Sequence, residues 1–232
     1  MATRTSQCVT GAAGAAAAAL LLVACGAGPA PSAGLALSAQ DREPCAFSTT
    51  AATLEPFRGP VYDYNPSRSP DELAQHSRLI VSGTISAVRA GRTTVYPASS
   101  AENSGPTSIV LVITDVTAVR GQLQERNDGN VYLELRGTQH PDPASYSRAL
   151  PAGAGVVAYL VPASDGEPDA RTDVSIANPA AGRPAGQALY LPAGPQGLAI
   201  EAAEGNVVWP LIGAQAPGCI ADALPGGHLI GQ

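Results

Sequence analysis

The stretch Ile109-Val110-Leu111-Val112-Ile113 decides the fold, because five consecutive apolar residues in an extended strand need partners on both of its faces. Polar residues return after it, at Thr114, Asp115 and Thr117. The pattern predicts a strand over residues 108–119 that is buried on both faces at one end and half-solvated at the other. Such a strand is typical of a curled sheet or a barrel.

The segment before this stretch alternates like a strand with one buried face. Between residues 80 and 88 we expect the following side chains to face inward: Val81, Gly83, Ile85 and Ala87. The residues between them are polar and are expected to face solvent: Ser82, Thr84 and Ser86. Residues 89–107, which connect this strand to the next, are predicted to form a long loop.

Five further strands are predicted after the turn Asn127-Asp128-Gly129-Asn130. They cover residues 131–136, 155–161, 188–191, 197–203 and 207–212. Glu134 and Glu201 alternate with apolar neighbours, so both carboxylates are expected to face solvent. Glu204-Gly205-Asn206 indicates a hairpin between the last two strands, and Pro210 makes the last strand an edge of the sheet.

A short helix over about residues 70–76 is predicted before the first strand. Ser69 can cap its exposed backbone amides, Pro70 suits the first helical position, and Glu72 completes a capping box. The helix has few apolar residues, so we expect it to pack on a larger element.

These elements predict a mainly β domain, either a single antiparallel barrel or a β-sandwich, with one short N-terminal helix. The order of the elements over residues 70–212 resembles small OB-like barrels of secreted bacterial proteins. That resemblance implies a barrel, and the sandwich stays open. The loops 89–107 and 137–150 are long, and long loops on a rigid scaffold often carry function.

The N-terminal region has the pattern of a secretory signal peptide. Residues 5–40 carry no charged side chain, Arg4 precedes them, and residues 15–24 form an apolar block. A positive start, a short apolar block and small residues before a cleavage site are typical of export. Two alternatives stay open: cleavage without lipid attachment, and retention as an anchor, for which the alanine-rich half is weakly hydrophobic.

The residues Leu22-Val23-Ala24-Cys25 resemble the lipobox of bacterial lipoproteins. The resemblance implies that residues 1–24 are a lipoprotein signal peptide. It also implies that Cys25 carries acyl chains, palmitate among them, which bind the bilayer at the extracytoplasmic face of the cell membrane. An incidental apolar cysteine is the alternative. Residues 25–44 are rich in Pro, Gly and Ala, which predicts a flexible tether, and residues 45–232 then form a single β-rich domain.

The remaining cysteines predict one disulfide bridge. Cys8 is removed with the signal peptide, which leaves Cys45 and Cys219 at opposite ends of the domain. Export takes both to a compartment where disulfides persist. A bridge between them contributes about 5 kcal/mol in the chain-entropy model. Two separate buried thiols are the alternative, and the wide spacing argues against a zinc site.

Composition and motifs exclude several classes of chemistry. All 13 basic residues are arginine, and without lysine the chain has no P-loop and no Schiff-base catalysis. The net charge of −6 argues against a nucleic-acid partner. Gly-x-Ser-x-Gly and histidine metal motifs are absent from the sequence, and the acidic run 165–169 lacks the glycine and glutamate that a calcium loop needs. We therefore predict no catalytic residue, no cofactor and no metal.

These observations favour a lipid-anchored cell-envelope protein whose domain binds a partner, either an envelope protein or a polymer. The alternative is an exported hydrolase, for which His76, His140 and His228 are the available bases. A purely structural envelope protein is a third possibility. The fold supports many activities and does not choose among them.

Overall fold

The structure is a computed structural model, and it describes residue 56 and residues 63–96, 104–136, 142–150, 153–163, 175–202 and 205–232. These residues all belong to the unit Pro44–Gln232. The signal peptide, the lipobox, the tether and Cys45 are predictions that lie outside the described residues.

The described residues are mainly β, as predicted, and contain nine strands and two α-helices. The helices are α1 (Pro70–Gln75) and α2 (Pro143–Ala149). The strands are β1 (Leu79–Val95), β2 (Ser104–Arg120), β3 (Val131–Leu135), β4 (Gly155–Pro162), β5 (Ser175–Ile176), β6 (Leu189–Pro192), β7 (Leu198–Ala202), β8 (Asn206–Trp209) and β9 (Ala214–Pro217).

All nine strands belong to one sheet, in the order β5-β1-β2-β3-β6-β4-β7-β8-β9. The strand β1 also pairs with β4, antiparallel, from Leu79–Leu160 to Thr84–Gly155. The pairing of β3 with β6 is parallel. The remaining neighbours pair antiparallel. The strand β4 therefore has three partners, β1, β6 and β7, and is central in the sheet.

The long loop predicted at residues 89–107 is wrong for most of its length. Both β1 and β2 have 17 residues and pair with each other as far as Val95 and Ser104. The polar residues of this segment led to the prediction of a loop. The outer part of the hairpin is nevertheless a strand pair, because polar contacts and a third strand stabilise it in place of a hydrophobic face. The Thr93 and Thr107 hydroxyls lie 3.0 Å apart across the two strands, and β5 pairs with Thr94 and Val95.

The inward-facing positions predicted for β1 are correct at Val81 and Ile85, but after Ile85 the side chains lie on the opposite faces from those predicted. Both residues are in the main core, but Ala87 packs against a separate cluster on the other face and Val88 packs against the main core. The register with β2 shifts between Ile85 and Ala87, which is a β-bulge. One extra residue reverses the inside and the outside of a strand, which explains the difference.

The helix α1 begins where the sequence predicted. The Ser69 hydroxyl accepts a hydrogen bond from the Glu72 amide at 3.1 Å, and the Glu72 carboxylate accepts one from the Arg68 amide at 2.7 Å. Leu73 and Ala74 are buried in a cluster that includes Tyr159 and Trp209, so the helix packs on the sheet as expected.

Two further predictions about the elements are wrong. The prediction of a single helix missed α2, which lies in the predicted loop 137–150; its N-cap Asp142 accepts a hydrogen bond from the Ala144 amide at 3.0 Å. The strand β8 is not an edge despite Pro210, because β9 pairs with it from Trp209–Ala214 to Asn206–Pro217. The strands β5 and β9 were not predicted, and they have only two and four residues.

Candidate functional site

Glu134, in the middle of β3, is buried, contrary to the prediction that it faces solvent. Its exposed fraction is 1%, and every residue of β3 is buried. On this face of the sheet, Gly182 lies directly over Val110, the residue of β2 that is paired with Glu134, and Leu189 belongs to the same apolar cluster as Val110 and Tyr132. Strand alternation predicts two faces correctly, but it does not tell whether a distant segment covers the second one.

Three neighbouring strands place hydrogen-bond donors around the Glu134 carboxylate. Arg92 of β1 forms a bidentate pair with it, from Nε to Oε1 at 2.8 Å and from its terminal nitrogen to Oε2 at 2.5 Å. The Ser108 hydroxyl donates to Oε1 at 2.7 Å, and Arg136 Nε donates to Oε2 at 3.0 Å. Each carboxylate oxygen thus accepts two hydrogen bonds, which satisfies a buried charge.

These contacts decide the charge state of the carboxyl group. Burial alone would raise the pKa of Glu134, but the hydrogen bonds from Arg92 and Ser108 and the charges of Arg92 and Arg136 together lower it below its ordinary value. Glu134 is therefore ionised at neutral pH and is held in one position by its donors.

A pocket of about 180 Å³ opens beside this cluster, at the carboxyl ends of the parallel strands β3 and β6. Leu135 and Leu211, both members of the main core, form its floor. Its walls come from β3, β6 and the turn after β6: Glu134, Arg136, Leu191, Pro192, Gly194 and Pro195. The pocket is therefore largely apolar, with one guanidinium in its wall.

Arg136 joins the buried cluster to the pocket. Its side chain is 29% exposed, whereas those of Arg92 and Glu134 are 2% and 1% exposed. Arg136 is therefore the most exposed of these charged side chains, although its Nη2 is buried and its Nε donates to Glu134. A concave apolar site with few polar groups is the usual form of a binding site.

Gln196, in the turn between β6 and β7, joins the two ends of the described domain. Its side-chain oxygen accepts a hydrogen bond from the Ser67 amide at 2.8 Å, and its nitrogen donates to the Ser67 carbonyl at 3.1 Å. The same nitrogen donates to the Gly231 carbonyl. The exposed fraction of Gln196 is 2%, so this turn, which forms one wall of the pocket, is fixed from behind.

The residues predicted as sites are partly described. Cys25 and Cys45 lie outside the described residues, so lipidation at Cys25 and the Cys45–Cys219 bridge stay predictions. Cys219 is half-buried, and its amide donates to the Asp222 carboxylate at 3.2 Å.

Two of the three candidate histidines lie among the described residues, and both are exposed. His76 is exposed at the end of α1, and His140 lies outside the described residues. His228 is also exposed, and its Nδ1 lies 3.9 Å from the carboxylate of Asp222.

Metal-binding clusters and membrane-spanning helices are both absent from the part of the chain that the structure describes. Within it, no group of three or more histidine, cysteine or acidic side chains is arranged to hold a metal ion. Neither of the helices found there has the length and apolar character needed to cross a membrane.

The sequence pattern missed the residues that form this site. Arg92 and Ser108 fall at or beside the predicted loop 89–107, and Arg92 is 42 residues from Glu134 in the chain. The available signal was an acidic residue on a strand with apolar neighbours, which is equally typical of a solvent-facing position. Comparison of the chain with protein-family models, with curated proteins and with solved structures finds no match.

Proposed function

We propose that the chain is a lipid-anchored, extracytoplasmic binding module of the bacterial cell envelope. The observation that carries the binding role is the apolar pocket at the ends of β3 and β6, with Arg136 in its wall. The observation that carries the location is the sequence Leu22-Val23-Ala24-Cys25 after an apolar block. The partner is an envelope protein or polymer that inserts part of itself into the pocket.

The scaffold proposed for this module is a closed, OB-like barrel. The pairings run from β1 to β2, β3, β6 and β4 and then return to β1. The parallel pair β3–β6 and the position of α2 between β3 and β4 in the chain agree with the OB-like resemblance. The main apolar cluster draws residues from each of these five strands, which is what a filled barrel interior requires.

The lipid anchor is tested by metabolic labelling of the producing bacterium with a fatty-acid probe. We expect label on the wild-type chain and none on Cys25→Ala, while Cys8→Ala, the matched control, keeps its label. Label that survives Cys25→Ala contradicts the lipobox assignment. Several acyl chains on one cysteine anchor a protein to a bilayer more strongly than a single chain does.

The disulfide between Cys45 and Cys219 is part of the same proposal. It is supported by the removal of Cys8 and the lipidation of Cys25 that the lipobox implies, which leave Cys45 and Cys219 as the two remaining cysteines. Non-reducing mass spectrometry of the exported protein is expected to find a linked peptide containing both residues. Free thiols at Cys45 and Cys219 contradict it.

The binding role is tested by crosslinking intact membranes and purifying the chain with its partners. We expect a recurring partner with the wild type and its loss with Leu191→Asp, which puts a charge into the pocket wall. Val119→Asp is the matched control, because Val119 is a 42% exposed apolar residue outside the pocket. Thermal unfolding of both variants checks that each is folded. Equal recovery of the partner with both variants contradicts a role for the pocket.

A further inference from the structure

We infer that the pocket receives the C-terminal residue of a partner polypeptide, with a leucine-sized or phenylalanine-sized side chain inside and the terminal carboxylate on Arg136. The inference rests on the proposed binding role and names the chemistry of the ligand. It follows from the size of the pocket, its opening to solvent and the position of its cation.

The size of the pocket fits one apolar side chain. A buried apolar cavity of roughly 150 Å³ accommodates a benzene molecule, and this pocket measures about 180 Å³. Sites for whole small molecules usually measure about 300–1,000 Å³. The pocket therefore holds one anchor group of a larger ligand, and the rest of that ligand lies outside it.

The opening of the pocket agrees with a ligand that continues into solvent. Gly194 lies in its wall, and the space where a side chain at this position would project is open. Leu191 and Pro195, which also line it, are half-buried. Two proline residues and the buried Gln196 restrict the movement of this wall, and a preformed pocket reduces the entropic cost of binding.

The charges at the pocket favour an anionic end group on the ligand. The Glu134 carboxylate is 1% exposed and has four donors, so it does not face the ligand. The Arg136 side chain is 29% exposed although its Nη2 is buried, and its positive charge beside the pocket attracts a carboxylate. Arg136 has contacts besides Glu134, and the inference uses only its position and its charge.

The experiment measures binding of a fluorescent peptide that ends in leucine with a free carboxylate. The protein is the full chain with Cys25→Ala, exported without lipid, so that no detergent competes for the apolar pocket. Three competitors separate the contributions: the same peptide with a C-terminal amide, the same peptide ending in glycine, and N-acetyl-leucine. We expect amidation and the loss of the side chain each to weaken binding about tenfold or more, since each removes one anchor.

Variants of the protein locate the two anchors. Arg136→Gln is expected to weaken binding of the acid about tenfold and to make acid and amide equivalent, while Arg136→Lys keeps part of the preference. Arg148→Gln is the matched control, because Arg148 is 72% exposed on α2. Leu191→Trp, which fills the pocket, is expected to abolish binding. Thermal unfolding verifies that Arg136→Gln remains folded although it removes a hydrogen bond to Glu134.

The inference is overturned if no leucine-terminated peptide binds, if acid and amide bind equally to the wild type, or if Arg136→Gln behaves like Arg148→Gln. Equal affinity for N-acetyl-leucine and the peptide overturns the polypeptide as the ligand and points to a small free acid. The proposed binding role is judged separately by the crosslinking experiment, in which loss of a partner with Leu191→Asp supports it whatever the peptides do.

Discussion

Two glutamates on different strands show that the pKa of the same chemical group is shifted in opposite directions in two regions of this sheet. Glu134 on β3 is 1% exposed, and its pKa is lowered. Glu201 on β7 is half-buried, and its pKa is raised by burial, which a hydrogen bond from the Gly155 backbone only partly offsets. The deeper carboxylate is thus the one whose charged form the fold favours.

The difference teaches that partners, and not depth, decide the charge of a buried group. Glu134 has two guanidinium groups and a hydroxyl as donors, and they outweigh its desolvation. Glu201 lies on the hairpin β7–β8 with one backbone donor, so its smaller desolvation dominates. Glu134 therefore stabilises the fold when ionised, whereas Glu201 is slightly unfavourable when ionised.

The largest expected effect comes from Glu134→Ala. The change leaves the buried Arg92 guanidinium without the carboxylate that accepts two of its hydrogen bonds. We expect the free energy of unfolding in urea to fall by about 3–5 kcal/mol. Glu201→Ala is the matched control, and its expected change is about 1 kcal/mol or less. Equal losses for the two variants would break the comparison.

The double variant Arg92→Met with Glu134→Leu sharpens this result. Replacement of a buried ion pair by apolar residues of similar size is often neutral or stabilising. We expect the double variant to recover most of the stability that Glu134→Ala loses. A double variant as unstable as the single one would show that the site needs its polar contacts for more than charge balance.

Ser108→Ala tests the third donor of the cluster. It removes the hydroxyl that donates to Glu134 at 2.7 Å and leaves the Arg92 pair in place. Hydrogen bonds to charged groups contribute roughly 1.5–3 kcal/mol, and we expect a loss in that range in urea unfolding. Ser147→Ala on the exposed surface of α2 is the control. An unchanged stability would mean that the two arginines alone hold the carboxylate.

The pH dependence of stability is expected to have opposite signs for the two glutamates. Because the pKa of Glu134 is lowered in the folded state, its carboxylate contributes to the free energy of unfolding. That contribution is full at pH values above 4.5, the ordinary pKa of a glutamate, and is lost as the pH falls through the lowered pKa. The raised pKa of Glu201 gives stability that is present below 4.5 and is lost as the pH rises through the raised pKa.

Glutamine variants measured across the acidic range separate these two effects. In Glu134→Gln, we expect the free energy of unfolding to fall less steeply with decreasing pH than in the wild type. Glu201→Gln should raise stability at neutral pH by less than about 1 kcal/mol, because solvent screens a half-buried group. The same sign of change for both variants at neutral pH would contradict the assignment.

Local patterns predicted much of the fold and little of the site. The Ser69 cap, the apolar run of β2 and the hairpin at residues 204–206 carry their structural information in a few adjacent residues, so each was predicted. The bulge after Ile85 and the segment around Gly182 that lies over Val110, the cross-strand partner of Glu134, depend on contacts between distant residues. The bulge reversed the expected face of Ala87, and the covering segment buried the face on which Glu134 lies.

The pocket illustrates the same limit. Leu135, an apolar neighbour of Glu134 on β3, is buried in the main core. Its neighbours in the pocket come from β6, from the turn after it and from Leu211, and periodicity within one strand gives no information on which strands meet. Arg92, the main partner of Glu134, lies in a stretch whose polar residues predicted a loop.

Intact mass spectrometry of the chain extracted from bacterial membranes tests the central claim most directly. We expect one species that begins at Cys25 and is heavier than its polypeptide by the mass of the attached acyl chains. A chain that begins at Met1, or one cleaved at any position without added lipid, would contradict the envelope-anchored module proposed for this protein.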